Sequence, residues 1–398
     1  MYKNTTILTQ LIQLVDRLGF GKLCQTEETD KRYRHFTART QLLAMVFAQL
    51  TKQNGLRSIE KALESDNDLY HAGVTSKITR TNLAHANRSR PCEIFQHFYF
   101  NLLNYYKSMT GRKTFDKETK NLKLIDATTI SLNLNQFSWA KFKNTKSGVK
   151  IHTRFDYDLG CADYLFMTNA KKHENSTLKD MELTENDIAA FDRGYFNKKQ
   201  FFDFCTAGID FVTRLKSNVT YTVIKNYVTT AQKDENFEIL SDEIISFPVS
   251  KKDARKVNLR KIVSKDVDSG KIITLLTNMF ETEALEIAGI YKKRWTIELF
   301  FKMIKQNLRV KNFYGRSENA VKTQIWIALI THLLFLILKA ETREATRTFS
   351  SFCSEIPVVL FKHRNLEKWF CFDFEKTPPP PQDQNEVLGN WLFQELAS

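Results

Sequence analysis

Between residues 325 and 338 the sequence reads IWIALITHLLFLIL. A run this apolar must either cross a membrane or be enclosed by protein. Crossing the hydrocarbon core takes about 20 apolar residues. This run is shorter, and Thr331 and His332 interrupt it. It therefore predicts a buried helix, and no membrane is expected as a partner. The six cysteines (Cys24, Cys92, Cys161, Cys205, Cys353 and Cys371) lie far apart, with no C-x-x-C pair. That spacing argues against a structural zinc site. With no signal peptide either, the chain reads as reduced and cytoplasmic.

At 398 residues, two or three domains are expected. Residues 1–105 read as a helical domain. NTTILTQLIQLVDRLGF carries apolar residues at helical spacing, and TARTQLLAMVFAQLTKQNGLRSIEKALES gives two more helices broken at Asn54-Gly55. SKITRTNLAHANRSRP then mixes Lys77, Arg80, Arg88 and Arg90 with Asn82 and Asn87. A short basic helix after a helical pair suits DNA contact; a solvated surface helix is the plain alternative. The excess of 59 Lys+Arg over 45 Asp+Glu gives a net charge of +14, which favours a polyanionic partner, most often nucleic acid.

The texture changes near residue 122. LKLIDATTISL is β-rich, and KIHTRFDYDLGCADYLFMTNA reads as a hairpin about Asp158-Leu159-Gly160. HENSTLKDMEL reads as helical. DIAAFDRGYF is a short apolar strand ending in Asp192, KKQFFDFCTAG a helix and IDFVTRLK another strand. Residues 216–280 form a β-rich insertion closed by KIITLLTNM. Beyond 309 the chain is mostly helical until PPPP at 378–381, which starts an extended tail.

The stretch after the insertion, YKKRWTIELFFKMIKQNLR, carries the chemistry. Wound as one helix, it places Tyr291, Arg294, Glu298, Lys302, Lys305 and Arg309 in a stripe about 80° wide. Ile297, Phe300, Phe301, Ile304 and Leu308 fall opposite. Alone, this is an ordinary amphipathic helix with a Glu298–Lys302 pair worth a few tenths of a kcal/mol. Asp126 and Asp192 change the reading, because each stands at the end of an apolar strand, where its side chain can project from the sheet edge. Two such aspartates and Glu298 make three hard oxygen ligands, which suit Mg²⁺. Two such ions roughly 3.5–4 Å apart clamp the attacking and leaving oxygens of a phosphoryl transfer. Chemistry on phosphodiesters also accounts for the basic surplus.

The spacing Tyr291-x2-Arg294-x3-Glu298-x6-Lys305 resembles the Y-R-E-K signature of bacterial insertion-sequence transposases, the "insertion sequence four" family of DDE enzymes. LIDATTI resembles that family's first-Asp strand, DRGYF its second-Asp motif, and WAKFKNTKSGVKIH the basic segment before its second strand. The resemblance covers about 120–340, and residues 5–95 look like the helical N-terminal domain common in the family. It implies an α/β fold: a ribonuclease-H-like mixed sheet flanked by helices, with a β-rich insertion at about 216–280. A helical DNA-binding domain over 1–105 and a helical C-terminal region over 341–398 would complete the chain.

The resemblance further implies that Asp126, Asp192 and Glu298 hold catalytic Mg²⁺, with Mn²⁺ as a substitute. Tyr291, Arg294 and Lys305 would contact transposon-end DNA. The implied activity is cut-and-paste transposition on inverted-repeat ends and target DNA, by a homodimer on paired ends, in the bacterial cytoplasm and on the nucleoid when bound. A nuclease without strand transfer and a DNA-binding protein that has lost catalysis are the alternatives. Some family members stack a flipped base on a tryptophan within the insertion. Here 193–294 holds no Trp, and Trp295, Tyr221, Tyr227 or Phe280 would have to serve. Arg80 and Arg88 would add DNA contacts in the helical domain. The aromatics Phe349, Phe352, Phe361, Trp369 and Phe370 are a candidate partner surface; that they cap the core is the plain alternative.

Overall fold

The run at 325–338 lies inside a longer helix, Glu318–Thr342, in which nearly every residue from Ala320 to Leu338 is buried. Among the described residues it is the one helix long and apolar enough to cross a membrane, yet protein encloses it. The structure is a computed structural model. It describes residues 5–371 apart from 32, 34, 65–73, 75–76, 111–119, 173, 227–231, 251–252, 254, 309, 311 and 343–346. The proline run, Tyr227 and Arg309 lie outside the described residues. The chain divides into two compact units, one of residues 1–112, 130–148 and 301–398, the other of 113–129 and 149–300.

The first unit is helical. Before residue 112 it holds α1 (Ile7–Arg17), α2 (Phe20–Thr26), α3 (Ala38–Leu50), α4 (Leu56–Glu64), α5 (Arg80–Ser89) and α6 (Glu93–Met109). After residue 310 it holds α10 (Glu318–Thr342), α11 (Phe349–Val359) and α12 (Leu366–Cys371). A helix apolar on all sides must be covered on all sides, and α10 is covered by α3, α5, α6 and α12. Asn319 ties its first turn to the α5–α6 junction: its side chain accepts from Cys92 N–H at 3.0 Å and donates to the carbonyls of Asn87 and Arg90. Gln10 joins α1 to α12, donating to Arg364 O at 2.6 Å and accepting from Leu366 N–H at 2.8 Å.

Two expectations are decided in this unit. Of the two readings of the aromatics after residue 340, partner surface or core cap, the structure shows the core cap: Phe349, Phe352, Trp369 and Phe370 are buried, and Phe349, Phe352 and Phe370 stand 5.2–5.7 Å from the ring of Phe335 on α10. Only Phe361 is partly exposed among the five. The apolar girth of α10 needs them. In the basic segment 76–90, Arg80 and Arg88 are exposed on α5, but Arg90 is fully buried. Its guanidinium bonds Asp30, Gln41 and the Phe36 carbonyl and lies 4.0 Å from the Tyr33 ring centre. Asn87 bonds Gln41 in the same interior. Both residues hold the helices together and are not available to DNA.

The second unit is built on a sheet. β1 (Asn121–Leu132) runs parallel to β5 (Asp187–Phe191), which runs parallel to β6 (Asp210–Arg214). β3 (Lys146–Asp156) and β4 (Cys161–Asn169) form the expected hairpin, turned by Gly160 at φ +66°. The order β4–β3–β1–β5–β6 is that of a ribonuclease-H-like core. α7 (Lys198–Thr206) links β5 to β6, and its Phe201 and Phe204 pack on Phe211 of β6. β2 (Lys141–Lys143) pairs with the first residues of β3 within the first unit.

The β-rich insertion contains β7 (Thr222–Asn226), β8 (Phe237–Pro248), β9 (Lys256–Asp266) and β10 (Ile272–Thr277). It continues the core sheet, because β10 pairs antiparallel with β6. HENSTLKDMEL is not an α-helix. It makes two short 3₁₀ turns, Glu174–Ser176 and Leu178–Met181. Leu178 and Met181 are both buried, and the three-residue spacing that aligns them is the period of a 3₁₀ turn.

Two buried histidines make the fold sensitive to acid. Burial pushes His332 of α10 down to about 3 and His152 of β3 down to about 4. Both stay neutral in the fold, whereas the unfolded chain binds their protons near pH 6.5. Stability is therefore full above pH 6.5 and falls as the pH drops toward 4, by up to ~1.4 kcal/mol per pH unit for each histidine. His332→Leu should remove one histidine's share of that slope, read from urea midpoints across the range. An unchanged slope would show that His332 is not its source.

Candidate active site

The first two acids are brought together by strand pairing. β1 and β5 run in register from Asn121↔Asp187 to Ile125↔Phe191. Asp126 is the next residue on β1, and Asp192 is the residue that follows β5. Neighbouring strands lie about 4.8 Å apart, and residues in register point to the same face. The apolar residues just before each acid anchor the pair: Leu124, Ile125, Ala190 and Phe191 are fully buried. Asp192 then leads into a 3₁₀ turn, Arg193–Tyr195.

The third acid arrives on a helix that is not continuous. α8 (Ala284–Lys293) ends at Arg294, and α9 (Trp295–Asn307) begins after it. The single winding expected over 291–309 is tightened at this point: Arg294 N–H bonds Tyr291 O at 3.1 Å, three residues back. Arg294 is buried and donates from Nη2 to Glu298 Oε1 at 2.7 Å. Its guanidinium stands 5.7 Å from the Tyr291 ring centre.

Electrostatics show which of these groups share a neighbourhood. Burial pushes the Asp126 carboxyl up to about 6; the Ala127 N–H and Arg294 pull it down, while Glu298 and Glu174 push it further up. Burial lowers Arg294, but Glu298, Tyr291 and Asp126 more than offset this, and it ends above its ordinary value. Tyr291 is raised, by burial first, and feels Arg294, Asp192 and Arg214. Asp126, Asp192, Tyr291, Arg294 and Glu298 thus act on one another within the second unit.

The other candidates sit elsewhere. Trp295 is 52 % exposed at the start of α9. Lys305 is half-buried on the same helix, in the stretch that belongs to the first unit. Arg80 and Arg88 are exposed on α5. Tyr221 lies under Lys261, whose Nζ is 5.1 Å from its ring centre, and Phe280 is half-buried. Sequence reasoning missed Glu174 and treated Tyr195 only as part of DRGYF. Glu174 stands on a turn between β4 and β5, with no local pattern to mark it.

Among the described residues, no three His, Cys, Asp or Glu side chains are gathered tightly enough to hold a metal ion as they stand. Glu298 is turned to Arg294. The donor chemistry nonetheless fits a hard divalent cation, with a half-buried aspartate, a second aspartate at the end of the neighbouring strand and a glutamate whose charge Asp126 feels. The folded Asp126 carboxyl keeps its proton longer than the unfolded one, whose ordinary value is 3.8. The resulting cost to stability is absent below pH 3.8 and complete above about pH 6. In metal-free protein near pH 7, Asp126→Asn should raise stability by up to ~3 kcal/mol. A destabilised Asn variant in a denaturant titration would show that the charge is already compensated.

Residues 117–334 match the family model described as "Transposase DDE domain", and residues 3–75 match a "Domain of unknown function (DUF4372)". A Sinorhizobium fredii protein named as the transposase y4zB is 32% identical over 298 residues, 75% of this chain and 80% of that protein. A Geobacillus stearothermophilus protein named as a transposase for insertion sequence element IS5377 is 26% identical over 59% of this chain and 61% of its own length. A Synechocystis protein named as a transposase for insertion sequence element IS4SA is 24% identical over 72% of this chain and 77% of its own length.

Proposed function

Because this chain belongs to the transposase DDE-domain family, we propose that it excises an insertion sequence at its inverted-repeat ends and joins the freed ends to target DNA. The observation that carries the reading is the β1–β5 register, which sets Asp126 beside Asp192 within reach of Arg294 and Glu298. Asp126, Asp192 and Glu298 would hold the cation. Bound Mg²⁺, or Mn²⁺ in its place, supplies charge neutralisation at the scissile phosphate and eases deprotonation of the attacking oxygen.

The remaining steps belong to the chain's own residues. Arg294, already poised against Glu298, has further N–H donors for a phosphate oxygen, and Tyr291 limits where it can swing. Such a cation counters charge that builds on the non-bridging oxygens. Trp295 offers an exposed ring for an unstacked base, and Lys305 a point charge for the backbone. Arg80 and Arg88 suit phosphate contact from the helical region 1–105, while 120–340 carries the catalysis. Two ends must be cut and joined to one target, so a homodimer on paired ends is the working form. It acts in the bacterial cytoplasm, on nucleoid DNA.

The test uses a labelled inverted-repeat end, a target duplex and Mg²⁺. Asp126→Asn, Asp192→Asn and Glu298→Gln should each lower strand transfer at least about 10²-fold while the gel-shift affinity for end DNA holds. Arg294→Ala and Lys305→Ala should weaken binding and flatten its salt dependence by about one unit of slope each. Equal loss of binding in the acid variants would mean that those side chains maintain the fold and do not perform chemistry.

A further inference from the structure

One buried group near the three acids has nothing to bond. Tyr195, three residues after Asp192, is fully buried, and its hydroxyl has no hydrogen-bond partner. Its ring packs edge-on against Phe191, the residue before Asp192, with centres 6.2 Å apart. The hydroxyl is raised well above its ordinary value, by burial first and then by the negative charges of Asp126, Glu174 and Asp192. A buried hydroxyl without a partner costs roughly 1–3 kcal/mol. Here it stands among carboxylates, in a family whose chemistry needs them.

Glu174 is the second unassigned group. Its Oε1 accepts from Lys150 Nζ at 3.2 Å. Its Oε2 passes so close to Gly194 that a Cβ there would lie 2.6 Å away. Gly194 is not in a left-handed conformation, and its lack of a Cβ lets the flexible end of Glu174 lie this close. The DRGYF turn therefore delivers three things at once: Asp192, a gap for Glu174, and the Tyr195 hydroxyl.

We propose that Tyr195 and Glu174 form a supporting layer of the metal site: Tyr195 Oη donates to a metal-holding aspartate once the cation has drawn it into place, and Glu174, steadied by Lys150, adds a fourth negative charge behind Asp126. Both are positioning residues, acting on the cation through the acids that hold it. Partners of this kind typically change metal affinity by about 10–100-fold. This inference rests on the assignment of Asp126 and Asp192 as metal ligands.

The experiment measures Mn²⁺ binding to the full-length protein without DNA, from the EPR signal of free Mn²⁺, alongside thermal melts of the metal-free protein. Tyr195→Phe keeps the ring and removes the hydroxyl. It should leave the metal-free melting temperature unchanged or higher and weaken Mn²⁺ binding about 10-fold or more. Glu174→Gln keeps the shape and removes the charge, and should also weaken Mn²⁺ binding by about 10-fold. Unchanged Mn²⁺ affinity in either variant removes that residue from the site. A lowered metal-free melting point with unchanged affinity would make Tyr195 a packing residue only. Asp126→Asn is the control: if it binds Mn²⁺ as the unaltered protein does, the metal-ligand assignment itself fails; if it loses Mn²⁺ while Tyr195→Phe does not, only the present inference fails.

Discussion

The parallel pairing of β1 with β5 is the constraint on which the rest of the site depends. Five consecutive pairs, closing at Ile125↔Phe191, fix two strands 66 residues apart in sequence to a single register. A slip of one residue would turn one aspartate to the opposite face of the sheet. The register is held from below by Phe191, stacked with Phe201 at 6.2 Å and Phe211 at 5.9 Å. On its other side β1 is tied to β3 and β4 by Lys123, whose ammonium bonds Asp156 at 2.7 Å and Asp163 at 2.6 Å. The apolar packing supplies the stability. The buried ion network fixes β1 against the β3–β4 hairpin, since an offset there would strand charges in the interior.

Charge in the proposed site is arranged to be unfinished. Asp126 is pushed up by burial, Tyr195 has a hydroxyl without a partner, and Glu298 is paired with Arg294. Each would be a defect in an ordinary core. Together they are what the proposed cation and phosphate site would use. Arg260 makes the contrast: equally buried, it is fully bonded to Asp242 and the carbonyls of Met279, Phe280 and Thr282, and it only secures the approach to α8.

The helical unit answers to a different demand. The apolar girth of α10 draws in Phe349, Phe352 and Phe370, so aromatics that look like an interface in sequence become interior. The same interior recruits Arg90 and Asn87 from a segment that reads as basic and exposed. What remains outward on α5 is Arg80 and Arg88.

Much was legible in the amino-acid order alone. The apolar run named a buried helix, alternation and apolar runs named β1, β5 and β6, and the spacing from Tyr291 to Lys305 named a family. These signals are local, carried by residues within one or two turns or strands of each other. Three things were decided only by the folded chain. Arg294 is buried at the junction of α8 and α9, where it meets Glu298 and feels the charge of Asp126 from β1. HENSTLKDMEL winds as 3₁₀ turns, because Leu178 and Met181 must reach one core at three-residue spacing. Glu174 comes to lie against Gly194, twenty residues away, through a gap that exists only when β4 and β5 occupy one sheet. Periodicity reports which way a side chain faces along its own element; which distant side chains share the space it faces is set by strand register and packing, and no local pattern encodes that.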